Sequence, residues 1–167
     1  MKGSAGSASR FATEVHARYR YLVATAIESW DALFESLGRF KDGWPGKSWS
    51  YDSRMRCVVS AITLESAAAA EAAIAEVLTQ SWTTRELATA PDPTRATTQA
   101  CGGLREGQKI YWGGSTLGAF GLWWPWGDGQ TVSLRVGLHD VDSPTVRYSR
   151  LRHVFGIPHV PTESLVG

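Results

Sequence analysis

The sequence predicts an α+β fold: an antiparallel sheet of about four to five strands, with a long N-terminal helix and a second, Ala-rich helix packed on one face. Three observations predict it. Apolar residues recur every three or four positions over 10–37, seven alanines crowd the fifteen residues of 66–80, and apolar and polar residues alternate over 130–139. The length of 167 residues and the mix of 43% hydrophobic and 20% charged residues fit one globular domain. We place that domain at 10–142. Residues 1–9, a run of Gly, Ser and Ala without an apolar core, read as a flexible tail that would suit an expression linker.

Phe11, Val15, Tyr19, Leu22, Ala26, Trp30, Leu33 and Leu37 share one helical face, with Ser9 as N-cap and Gly38 as the residue ending the helix. A helix over 10–37 would be roughly 42 Å long. Arg10, Arg18 and Arg20 lie in its first half and Glu28, Asp31 and Glu35 in its second, against the helix dipole, at a cost of only ~0.3–1 kcal/mol per exposed charge that the Glu14–Arg18 pair partly offsets. Residues 39–54, with Asp42-Gly43-Trp44-Pro45-Gly46, read as a loop. The β-branched run 55–64 reads as a central strand, and 66–80 as the second helix.

Beyond it, 83–90 reads as a strand around Leu87, Pro91-Asp92-Pro93 bars a helix from continuing, and 94–103 reads as a polar loop. Strands follow at 109–112, 117–124 and 130–139. In the last, Val132, Leu134, Val136 and Leu138 face one way and Thr131, Ser133, Arg135 and His139 the other. Asp128-Gly129 marks a hairpin turn. Residues 143–167, with Pro144, Pro158 and Pro161, read as an irregular C-terminal tail.

Seventeen basic residues against sixteen acidic ones leave a net charge of +1, which argues against a polycation built for nucleic acid. The longest apolar run falls short of the ~20 residues of a membrane span. The expected location is therefore cytoplasmic, with no membrane partner. Cys57 and Cys101 have no zinc-motif spacing, and the sequence leaves open whether they pair.

No catalytic, phosphate-binding or cofactor motif is present, so no catalytic residue, cofactor or metal is assigned. Three polar clusters have ordinary explanations. His139-Asp140-Val141-Asp142 could form an acid–base or metal group but fits a strand running into a polar turn. Glu28, Asp31 and Glu35 fit a solvated helix face. Arg147, Arg150, Arg152 and His153 could meet phosphates but fit a solvated edge.

Tryptophan stands apart: eight, against five tyrosines and five phenylalanines. Trp123 and Trp124 are adjacent in a strand, so they face opposite sides of the sheet and cannot share a core. With Trp112, Trp126 and Asp128 they define the candidate binding surface, since indoles are enriched where proteins bind partners. The expected function is a non-catalytic protein-binding module (chaperone, neutralising or assembly-adaptor type) using this Trp-rich hairpin, with self-association left open. The alternatives are a sugar- or aromatic-binding protein with a pocket beside Trp112 and Trp123, and a hydrolase centred on His139 with Asp140 or Asp142.

Overall fold

The computed structural model describes residues 29–113 and 118–158. The N-terminal tail, Glu28 and residues 10–28 of the expected long helix lie outside the described residues. Along the chain come α1 (Ser29–Gly43), β1 (Ser50–Asp52), β2 (Cys57–Thr63), α2 (Ala67–Val77), β3 (Gln80–Thr83) and α3 (Asp92–Ala100). Then follow β4 (Lys109–Gly113), β5 (Gly118–Pro125), β6 (Thr131–His139) and α4 (Pro144–Val154). The fold is α+β. Its one described sheet has six strands, all antiparallel, in the order β1-β2-β6-β5-β4-β3. The β5–β6 hairpin stands where the alternation placed it, from Gly118 opposite His139 to Pro125 opposite Val132.

Pleat parity sorts the side chains into two cores. Val58, Ile62, Tyr111, Ala119, Trp123, Val132, Leu134, Val136 and Leu138 face α1, α2 and α4. Cys57, Ile110, Trp112, Phe120 and Leu122 face the opposite way, into a second core completed by Leu87, Cys101 and Leu104 from the segment around α3. The two expected helices do pack on one face. Correcting the expected layout, the other face is covered as well.

Five further expectations are corrected. The sheet has six strands because three-residue β1 lies in the segment read as a loop, too short to show a period. The strand expected at 83–90 around Leu87 is instead β3, at Gln80–Thr83 on the sheet edge, and Leu87 begins a 3₁₀ turn. Residues 92–100 are helical, because proline is excluded from a helix interior but suits its first turn, where Pro93 stands. The buried side of α3 carries Thr94 and Thr98, with Thr98 Oγ1 donating to the Thr94 carbonyl at 2.8 Å, so it has no apolar stripe to read.

The C-terminal segment is not an irregular tail. Pro144 opens α4, and Leu151 and the following Phe155 enter the first core. Helix α1 also runs through Gly38 to Gly43. Mid-helix glycine costs ~1 kcal/mol, while the next turn buries Phe40, worth ~1.5–3 kcal/mol.

The second core depends on a missing side chain at Gly137, where the Phe120 ring crosses the β6 backbone. A Cβ there would lie 2.4 Å from Phe120 Cζ and 3.0 Å from Cys57 Sγ. Gly137→Ala is expected to destabilise the protein by ~1–3 kcal/mol through overpacking. Denaturant unfolding monitored by Trp fluorescence should show a lower midpoint with an unchanged slope.

Candidate functional site

The five residues of the expected binding surface separate into three groups. Trp112 and Trp123 are both 4% exposed and lie in different cores, so neither presents a surface and the two cannot line one pocket. The aromatic pocket expected beside them is therefore corrected. Trp124 points away from Trp123, as the pleat requires, and is half-buried against the second core. Its cover is Arg135, whose guanidinium lies 4.2 Å from the ring centroid. Trp124 Nε1 and Arg135 Nε are buried with no acceptor among the described residues.

Trp126 is the exposed member, 53% accessible at the hairpin tip. Its backbone is fixed: its N–H donates to the Thr131 carbonyl at 2.8 Å and its carbonyl accepts from Gly129 N–H at 3.2 Å. Gly129 sits at φ +64°, a conformation that favours glycine. Asp128 clamps the turn from inside. Its Oδ1 accepts the Gln130 and Thr131 N–H groups, both at 2.9 Å, and its Oδ2 accepts the Thr131 hydroxyl at 2.7 Å. Those hydrogen bonds, led by the Gln130 N–H, hold its carboxyl below the usual range.

Sequence reading missed a neighbour of this tip. Leu64, 55% exposed, follows β2, and its N–H donates to the Gln130 carbonyl at 2.8 Å, one residue from the Trp126 attachment at Thr131. An isolated leucine after a strand carries no pattern; only the pairing of β2 with β6 brings it to this end of the sheet.

At the opposite end of β6, His139 and Asp140 do meet. The strand stops at His139, and Asp140 turns at φ +53°, so its Oδ2 lies 3.0 Å from His139 Nδ1. The other ring nitrogen, Nε2, lies 3.0 Å from the Gly113 carbonyl, and the imidazole stacks on Trp112 at 3.8 Å between centroids. Both nitrogens of this buried ring are engaged, which leaves none for a substrate proton. Asp142 is held by Arg147 at 2.9 Å, which lowers its carboxyl pKa. His139 thus ties the end of β6 to that of β4 while Asp142 anchors the start of α4, and the three groups do not converge on a reacting centre.

The basic cluster is also occupied. Arg147 lies over Trp30, Arg150 over Phe34 and Arg152 over Tyr51, at 4.8, 4.8 and 4.9 Å from the ring centroids. Arg150 also pairs with Asp31, and Glu35 with Arg39. Cys57 and Cys101 are free thiols beside one core; burial pushes Cys57 up to about 12 and raises Cys101. Among the described residues no group of three or more His, Cys, Asp or Glu side chains is placed to hold a metal, and no helix is long and apolar enough to cross a membrane. Comparison with protein-family models, curated proteins and solved structures gives no match.

The depressed Asp128 carboxyl links the tip to pH. A group with a lowered folded pKa stabilises above its unfolded value of about 4, and that contribution is lost as pH falls through the folded value. Hydrogen exchange should find the Gln130 and Thr131 amides protected at neutral pH and released only once the pH has fallen below the ordinary Asp range. In Asp128→Asn the step should vanish; its persistence there would assign the clamp to another group.

Proposed function

We propose that the protein is a non-catalytic protein-binding module whose contact surface is the β5–β6 hairpin tip and the adjoining end of β2. The observation that carries this reading is Trp126, an indole 53% exposed on a turn fixed by the Asp128 clamp. An exposed indole on a flexible loop would lose entropy on binding. A preorganised one avoids much of that cost and can serve as an anchor. Leu64 adds a second exposed apolar side chain at the same end of the sheet. The half-buried Trp124–Arg135 stack lies behind the tip and offers a planar, charged rim. Both nitrogens of His139 being spent counts against the hydrolase alternative.

Trp126→Ala should leave stability within ~0.5 kcal/mol, because the side chain contributes little to either core. Binding to a partner captured from host lysate and then purified should weaken by at least ~2 kcal/mol, roughly 30-fold. Titration calorimetry with the purified pair measures this. Equal affinity of wild type and Trp126→Ala would reject the tip as the contact surface.

A further inference from the structure

A cavity of about 410 Å³ opens at the C-terminal end of β6, eight residues from Thr131 and roughly 27 Å along the strand from the hairpin end. Its volume lies within the range of small-molecule sites. Two oppositely charged side chains line it, Arg56 from the turn before β2 and Asp140 from the end of β6. Continuing the β2–β6 register sets Arg56 opposite Leu138, so the two charges belong to neighbouring strand ends. Yet among the described residues they form no ion pair with each other, and Arg56 forms none at all.

Both hold an unfavourable backbone conformation while remaining apart. Arg56 and Asp140 each sit at φ +53°, and with Ser143 they are the three left-handed residues other than glycine among the described residues. Arg56 ends the four-residue β1–β2 turn, 53–56, and short hairpin loops built on a type I turn bring a left-handed residue there; glycine or asparagine would be less strained at that place. Its guanidinium lies 5.6 Å from the centroid of Tyr148, which also lines the cavity. Asp140 is 54% exposed in its side chain; Oδ2 is taken by His139, and Oδ1 has no partner among the described residues. The rest of the lining is mixed: Pro93, Val141, Pro144 and the Tyr148 ring supply apolar surface, with Thr97 and the buried His139 among them. Burial raises the Tyr148 phenol, keeping it a neutral donor.

From this arrangement we propose that the cavity binds a small zwitterion, a free amino acid with an apolar or aromatic side chain. Arg56 holds its carboxylate, Asp140 Oδ1 accepts from its ammonium, and the apolar surface takes its side chain. A carboxylate alone or an amine alone satisfies one charge and leaves the other without a partner.

The test titrates the protein with L-phenylalanine, L-leucine, 3-phenylpropanoate and phenethylamine, reading the Val141 and Tyr148 amides by NMR. One of the amino acids should give saturable shifts with Kd at or below about 10 mM, at least roughly tenfold tighter than the acid or the amine. Arg56→Asn and Asp140→Asn both suit a left-handed backbone, and the second keeps an acceptor for His139. The first should weaken the amino acid and 3-phenylpropanoate while sparing phenethylamine; the second should do the reverse for the two single-charge probes. The proposal is overturned if neither amino acid saturates these amides. It is equally overturned if the acid or amine binds as tightly as the amino acid, or if either variant leaves amino-acid affinity unchanged.

Discussion

Strand β5 must be buried on both faces, and most of the architecture depends on that constraint. It pairs with β4 on one side and β6 on the other, and Gly118 through Trp123 are all buried. Ala119 and Trp123 belong to one core, Phe120 and Leu122 to the other. One layer of helices could cover only half of these side chains. The fold therefore places α1, α2 and α4 beneath the sheet and the α3 segment above it. Space for the upper layer comes from small residues: Phe120 crosses β6 where Gly137 lacks a Cβ. The two cores consume half of the eight tryptophans, since Trp30, Trp44, Trp112 and Trp123 are buried.

Where burial and period coincide, the elements were legible. Strand β6 shows its alternation directly, α2 its small-residue face, and the Trp123–Trp124 pair its division between two faces. What stayed hidden had no apolar period to display. The buried side of α3 is threonine, and α4 covers aromatic rings with arginines rather than leucines. Prolines misled at both helices for one reason: Pro93 and Pro144 mark beginnings rather than barriers.

The candidate sites were legible to different depths. Trp126 and Asp128 could be placed on a turn, but the clamp of three hydrogen bonds depends on side-chain orientation that sequence does not give. The meeting of His139 with Asp140 contradicts strand alternation and required the left-handed turn at Asp140. Arg56 offered no signal, because its distinction is a backbone angle together with a neighbour on another strand. The two ends of β6 thus carry different chemistry: an exposed indole at one, and at the other Arg56 and the His139-paired Asp140 around a cavity.

The docking of α4 also has a kinetic consequence. Arg150 meets Asp31 across 119 positions of sequence, while β4, β5 and β6 join through short hairpins. A contact of that sequence separation cannot form until most of the described chain has been made, which places the docking of α4 after the hairpins during synthesis. During synthesis the sheet and α1 emerge before it, leaving Phe34, Phe40 and Trp49 without the cover that Arg150 and Phe155 supply. The nascent chain therefore passes through a stage with an uncovered aromatic cluster, when self-aggregation competes most directly with completion of the fold.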